Sequence, residues 1–251
     1  MLIENSVLES KKQLGERIYQ IKLHSPKIAK LVKPGQFCNI KVSDSDFPLL
    51  RRPFSVSNVD GDYISILFDI HGEGTKILSE KENGNVLNIL GPLGNGFNFL
   101  GDYKTAIFVA GGLGAAPFPL LVKHLNDKAI VSFIGARNKN FIIQEDLPNP
   151  QIATDDGSLG YKGNVVELLS NYIIQNDLKE FRIFSCGPNP MLKALQELSK
   201  DGNYECQISV ECAMACGFGI CQGCPIETSN GEGYKLVCKD GPVFNAMEVT
   251  L

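Results

Sequence analysis

Over the first hundred residues, apolar and polar positions alternate in short runs. Residues 17–23 (RIYQIKL), 36–42 (QFCNIKV), 54–57 (FSVS) and 63–70 (YISILFDI) each place β-branched or aromatic side chains at alternate or near-alternate positions. A period of two predicts strands with one face on a core. The stretches KPG (33–35), DGD (60–62), NGN (83–85) and GPLGNG (91–96) predict close turns between them. Six or so short strands joined this way predict an antiparallel barrel or sandwich over residues 1–100.

From about residue 101 the rhythm changes. TAIFVA (105–110), AIVSFIGA (129–136) and FRIFSC (181–186) are continuous apolar runs, the pattern of strands buried on both faces. Between them, residues 117–125, 164–174 and 190–200 have helical spacing, the last with Pro190 at its start. QISVE (207–211) reads as a final strand. Strand and helix in alternation predict a doubly wound parallel sheet over 101–210. Residues 211–251 break with both patterns and predict a small third module.

Composition changes this picture in one respect. With 43% apolar and 21% charged residues and a net charge of −4, the chain is an ordinary globular one, without the basic stripe of a nucleic-acid binder. No run reaches the roughly 20 apolar residues of a membrane span. Early glutamates and the lack of an apolar segment argue against a signal peptide, so a cytoplasmic protein is expected. In a reducing compartment, eight cysteines point to metal or redox chemistry rather than disulfides. Six of them, Cys206, Cys212, Cys216, Cys221, Cys224 and Cys238, fall in the last fifth of the chain.

Four motifs carry candidate chemistry. VAGGLGAAP (109–117) stands at a strand-to-helix junction, where Gly111, Gly112 and Gly114 free N–H groups for an anion. It lacks the G-x-G-x-x-G fingerprint, and a tight turn needing glycine only for packing explains it too. SCGPNPML (185–192) ends another strand. Cys186 there is either a small buried hydrophobe or a seat beside a nicotinamide. RRPFSV (51–56) with GEGT (72–75) offers a charge for a diphosphate, a flat aromatic face, a hydroxyl and a helix start. Finally, Cys216-x4-Cys221-x2-Cys224 with distant Cys238 matches plant-type [2Fe–2S] spacing. Zinc would also accept four cysteines, though more typically in two C-x2-C pairs. Glycines 217, 219 and 223 let such a loop bend around a cluster. Cys206 and Cys212 lie outside the spacing. No triad or paired carboxylates are evident, and His24, His71 and His124 are the only imidazoles.

Together RPFS, GEGT, GGLGAAP and CGPNPM resemble the ferredoxin–NADP reductase superfamily of flavoproteins over residues 1–210. MACGFGICQGC (214–224) and CKDGPVF (238–244) extend the likeness over the whole chain, to the family of electron-transfer subunits of two-component, NAD-linked dihydroorotate dehydrogenases. The resemblance implies an N-terminal FAD-binding antiparallel β-barrel (1–100), an NAD-binding α/β domain (101–210) and a [2Fe–2S] module (211–251). It implies an oxidoreductase subunit of pyrimidine biosynthesis. A separate FMN-containing catalytic subunit would oxidise dihydroorotate, two copies of each chain forming a heterotetramer. Its electrons would pass through the cluster and FAD to NAD+. By position, Arg52, Pro53, Phe54, Ser55, Leu67, Phe68, Asp69, Gly74 and Thr75 would hold FAD, with Ser55 near the flavin ring and Arg52 near the diphosphate. Gly111, Gly112 and Gly114 would face the NAD diphosphate, Cys186 and Gly187 the nicotinamide. Cys216, Cys221, Cys224 and Cys238 would be the cluster ligands. Asp155 and Asp156 would repel a 2′-phosphate, favouring NAD, while Arg137 and Lys139 pull the other way. The partner is expected to dock near residues 212–226, on Phe218 or Ile220. A flavin and iron–sulfur subunit serving a sulfide- or ferredoxin-linked NAD(P) oxidoreductase, and a zinc-stabilised interaction protein, are the alternatives.

Overall fold

A computed structural model describes all residues, 1–251. The first half closes into a six-stranded antiparallel barrel of β1 (Leu2–Gln13), β2 (Ile18–His24), β3 (Phe37–Lys41), β4 (Arg52–Asp60), β5 (Tyr63–Asp69) and β6 (Val86–Leu93), in the order β1-β2-β5-β4-β3-β6. Closure leaves no free edge. The alternating positions meet inside: Leu8, Ile21, Leu23, Ile40, Val56, Ile64, Ile66 and Ile89 form one buried cluster.

Strand β1 is absent from the periodicity expected of this region, and its side chains explain why. Its inward positions include Glu4 and Ser6, while Ile3 and Val7 face outward. Glu4 is buried yet satisfied. Its carboxylate accepts from Ser25 Oγ at 2.7 Å and from the N–H groups of Lys27 and Ile28 at 3.1 and 3.0 Å, so it caps the short helix α1 (Pro26–Ala29).

The second half is a seven-stranded sheet in the order β10-β9-β8-β7-β11-β12-β15. Its strands are β7 (Thr105–Gly111), β8 (Ala129–Ala136), β9 (Pro150–Thr154), β10 (Tyr161–Lys162), β11 (Phe181–Cys186), β12 (Glu205–Ser209) and β15 (Val243–Asn245). All neighbours pair in parallel except β15, which lies antiparallel to β12. Both faces are covered, which is why the strands read as unbroken apolar runs. Ile107 and Val109 of β7 pack under α4 (Val165–Gln175) and α5 (Asn189–Gly202), whereas Ala106, Phe108 and Ala110 pack under α3 (Phe118–Val122).

Two expected elements shift. The helix expected over 117–125 is a 3-10 turn, Gly112–Ala115, followed by the five-residue α3, because Pro117 and Pro119 crowd its start. The strand expected over 207–211 is β12, which stops at Ser209 and leaves Glu211 beyond it.

Residues 211–251 are bound to both halves. They contribute the hairpin of β13 (Pro225–Glu227) and β14 (Tyr234–Leu236) and then return β15 to the sheet edge. Phe37, Leu90 and Leu93 of the barrel share a core with Cys224, Val237 and Cys238. Asn95 Nδ2 donates to the carbonyls of Lys239 and Asp240 at 3.2 and 3.0 Å. No helix is long and apolar enough to cross a membrane.

Candidate functional site

Two cavities open side by side, the first between barrel and sheet, and Cys212 and Met214, which lead into the cysteine loop, form part of the wall of the first. The first, about 420 Å³, is floored by Pro53, Phe54 and Ser55 of β4 and by Leu67, Phe68 and Asp69 at the end of β5. The rings of Phe54 and Phe68 lie 5.8 Å apart, and Tyr19 stacks on Phe68 from behind at the same distance. Phe54 and Phe68 belong to the buried cluster of the barrel, their rings tilted by 59°, and where they meet the cleft they form an apolar shelf beside the Ser55 hydroxyl. Thr75 lines the same cavity from the first turn of α2 (Glu73–Glu80). Its Oγ1 accepts from the N–H groups of His71 and Gly72 at 2.8 and 3.2 Å, which fixes the loop ahead of the helix. Arg52 and Gly74 stand outside this wall, against each other. A Cβ at Gly74 would sit 2.8 Å from Arg52 Nε, so the guanidinium lies over the start of α2. Shelf, hydroxyl, helix N-terminus and arginine fit a flavin dinucleotide: a flat ring system at one end and a diphosphate at the other.

The second cavity, about 870 Å³, spreads over the carboxyl ends of β7, β8 and β11, the place where open α/β sheets take ligands. Gly111, Gly112, Gly114 and Gly187 all line it. The glycines divide the two roles considered for them. A Cβ at Gly114 would lie 2.0 Å from the Cys186 carbonyl oxygen, so this glycine is there for packing. Gly112 has φ +53 with open space where a Cβ would be, and faces the cavity. Arg137 and Asp155 both line the cavity. Lys139 and Asp156 are absent from its wall: Ser158 Oγ receives the Lys139 N–H at 2.9 Å, and the Asp156 carboxylate accepts from the Ser158 N–H at 2.9 Å.

Cys186 opens onto the first cavity rather than the second. It is buried, and burial pushes its thiol pKa up, so it sits there neutral. The cavities share a seam formed by Asp69, Leu113 and Glu211. Glu211 lies outside every motif, and Leu113 lies inside VAGGLGAAP without being singled out by it. Glu211 directly follows the last parallel strand, and strand-end position is the signal that points to it. Its side chain reaches the cleft, and the protein around it raises its carboxyl pKa by desolvation.

The cysteine loop places its sulfurs in two pairs. Cys224 and Cys238 are buried, their sulfurs 3.2 Å apart. Cys216 and Cys221 form the outer pair, linked by a side-chain contact and by the Cys221 N–H to Cys216 Sγ at 3.5 Å. No three His, Cys, Asp or Glu side chains close on a single ion-sized point. Backbone N–H groups aim at the sulfurs: Phe218 at Cys216 (3.5 Å), Gly223 at Cys221 (3.4 Å) and Cys238 at Cys224 (3.5 Å). Burial opposes ionisation of Cys216, but the N–H groups of Cys221 and Phe218 outweigh it and bring the thiol down to about 6. Two thiol pairs ringed by N–H donors fit a two-iron cluster, each iron taking one pair. Gly217, φ +80, could carry no side chain, since a Cβ would meet Asn39 Nδ2 at 2.1 Å. That amide donates to the Cys216 carbonyl at 3.2 Å and moors the loop to β3. Cys206 is a core residue of β12, and Cys212 lines the first cavity.

Comparisons with known proteins converge. Residues 211–250 match the model of the iron–sulfur cluster binding domain of dihydroorotate dehydrogenase B. Over 244 residues the chain is 39% identical to the dihydroorotate dehydrogenase B (NAD(+)) electron transfer subunit of Caldanaerobacter subterraneus subsp. tengcongensis, covering 96% of this chain and 95% of that one. The subunit of the same name from Bacillus pumilus is 40% identical over 253 residues, with 96% of each chain covered. Among solved structures, an NADH-dependent reduced ferredoxin–NADP oxidoreductase superposes with TM-score 0.87 at 26% identity, over 98% of this chain and 90% of its own. A ferredoxin NADP+ reductase from Neisseria gonorrhoeae shares the fold at TM-score 0.66 and 17% identity, over 79% of this chain and 91% of that one.

Proposed function

The chain belongs to the family of electron transfer subunits of NAD(+)-linked dihydroorotate dehydrogenase B, and from that premise we propose how its own residues divide the work. It is an oxidoreductase subunit that works with a catalytic dihydroorotate dehydrogenase partner and uses FAD, a [2Fe–2S] cluster and NAD. When bound, these groups carry electrons from the partner through the cluster and FAD to NAD+, the flavin exchanging single electrons for hydride.

Pro53, Phe54, Leu67 and Phe68 hold the flavin ring flat, and Ser55 offers its hydroxyl to the ring edge. Arg52, with Gly74 and Thr75 at the start of α2, takes the FAD diphosphate. Gly111, Gly112 and Gly187 let the NAD backbone lie across the strand ends, while Gly114 keeps that turn tight. Cys186 packs beneath the place where the two rings meet. Asp69, Leu113 and Glu211 align nicotinamide with flavin and keep water from the gap between them. Cys216, Cys221, Cys224 and Cys238 ligate the irons. Asp155 at the second cavity disfavours a 2′-phosphate, consistent with NAD as the carrier. Residues 1–100, 101–210 and 211–251 serve FAD, NAD and cluster respectively. The assembly is two of each subunit, in the cytoplasm.

The observation that carries this assignment is the seam. Two cofactor-sized cavities touch along three residues, and the wall of the first is made partly by the cysteine loop's own approach segment, Cys212 and Met214. The test is chemical analysis and absorption of anaerobically purified protein. Two irons and two acid-labile sulfides per chain are expected, with a brown-yellow spectrum that NADH bleaches. One zinc in a colourless protein would sink the cluster assignment, and a spectrum that NADH leaves unchanged would sink the nicotinamide site.

A further inference from the structure

The connection between β3 and β4 carries three large apolar side chains that the molecule itself does not use. Phe47, Leu49 and Leu50 are 70%, 78% and 46% exposed. None belongs to a core cluster and none lines either cavity, so neither packing nor a ligand in those cavities covers them. A single exposed leucine is ordinary on a protein surface, but three such side chains within four residues form a patch.

The patch stands on a braced base. Ser45 Oγ donates to the Phe47 carbonyl at 2.6 Å, and Arg52 Nη1 donates to the Leu50 carbonyl at the same distance. Arg51 donates through Nη1 to the Asn88 carbonyl at 2.8 Å and through Nη2 to the Asn88 side-chain oxygen at 2.5 Å. These bonds fix the loop's backbone before any partner arrives, so docking loses little conformational entropy. The patch is also joined to the cysteine loop. Arg51 Nη1 reaches the Asn39 carbonyl at 3.4 Å, and the Asn39 amide donates to the Cys216 carbonyl, two residues before Phe218. One arginine and one asparagine therefore separate Leu50 from the apolar side chains beside the exposed Cys221. Phe218 and Ile220 alone fall well short of the roughly 800 Å² that each side of a stable complex buries. A partner centred on them must extend over neighbouring surface, and this loop offers apolar surface next to them.

We propose that residues 47–50 are a second anchor for the catalytic dihydroorotate dehydrogenase subunit, with Phe47 and Leu49 entering an apolar pocket of that partner while its body covers Arg51 and the cysteine loop. The occupant follows from position. A partner that delivers electrons on the side of Cys221 lies over the cysteine loop, and the contacts through Asn39 and Arg51 bring the patch under the same body. Two separated anchors fix the partner's rotation about the cysteine loop as well as its distance from it. The proposal rests on the partnership of this chain with a catalytic subunit.

The experiment uses the full-length chain with its flavin and cluster, and the separately purified catalytic subunit, in an equilibrium binding assay. Phe47→Ser with Leu49→Ser should weaken the complex by about tenfold or more, the scale expected when two buried anchors are truncated. Leu49→Ser alone should give part of that loss, and Phe47→Leu with Leu49→Met should keep wild-type affinity. In the isolated chain the double serine variant should retain flavin, iron and NADH-driven reduction of an artificial acceptor. Wild-type affinity in the double serine variant overturns the proposal. Loss of flavin from Leu49→Ser also overturns it, because the loop would then serve FAD. So does a double serine variant that abolishes self-association of the chain and leaves binding of the catalytic subunit intact, because the occupant would then be a second copy. A wild-type chain that does not bind the catalytic subunit at all removes the partnership itself, a result separate from any of these.

Discussion

Among single residues, Glu211 stands where the two cavities meet. It borders both cofactor cavities, and desolvation by the surrounding protein lifts its carboxyl pKa above the ordinary carboxylate value. Where it is ionised it faces the cleft in which the positively charged nicotinamide of NAD+ must lie. A raised pKa means that this attraction is complete above the shifted value and fades as pH falls through it, earlier than an exposed glutamate would allow. NAD+ affinity, measured by titration between neutral and mildly acidic pH, is therefore expected to weaken as pH drops. Glu211→Gln should bind NAD+ more weakly at neutral pH and with a flat profile. NADH has a neutral ring and should respond far less, so equal losses for both nucleotides would count against a charge role.

At the scale of elements, much of the site was legible because cofactors are gripped by strand ends and turns, and those carry strong local signals. RPFS, GGLG and CGP stand out for their glycine, proline and charge, and the four-cysteine spacing is a geometric demand of the cluster itself. What escaped has physical reasons. Strand β1 hides because its inward residues Glu4 and Ser6 are satisfied by polar contacts, Glu4 by capping α1 and Ser6 by donating to the Ser25 hydroxyl. β10 is two residues long and β15 three, too short for any period to register. The seam residue Glu211 belongs to no motif, and Leu113, the apolar member of GGLG, carries no chemistry that would single it out. Asn39 hides in the same way, as a polar residue inside a strand pattern, although it ties barrel to cluster loop. Its amide is 1% exposed and donates to the Cys216 carbonyl. Asn39→Ala removes that part-buried hydrogen bond, at a cost of about 0.5–1.5 kcal/mol. The expected result is a lower thermal midpoint and faster loss of iron to a chelator, with flavin content retained. Unchanged iron release would mean that the loop is moored elsewhere, through Asn95 and β15.

For the molecule as a whole, direction is set by what is buried and what is not. The second cavity opens over the sheet, the first lies between sheet and barrel, and the segment leading into the cysteine loop, Cys212 and Met214, forms part of the first cavity's wall. In the cysteine module Cys224 and Cys238 are buried while Cys221 is exposed, so a cluster held by these residues would have its exposed side at Cys221. Electrons from a partner would then enter on the side of Cys221, since distance governs such transfer and Cys221 is the exposed one of the four cysteines. Phe218 is 36% and Ile220 76% exposed beside Cys221, large apolar side chains on a loop that needs none for its own folding. Near-central apolar anchors of this kind carry a large share of interface energy, typically above 1 kcal/mol each. Substituting both, Phe218→Ser with Ile220→Ser, should weaken complex formation with the dihydroorotate-oxidising subunit by at least tenfold in an equilibrium binding assay. The flavin, the cluster and NADH-driven reduction of an artificial acceptor should persist in the isolated chain. If the double variant still assembled with wild-type affinity, the partner would have to approach the cluster from another face, and the exposed edge at Cys221 would not be the point of electron entry.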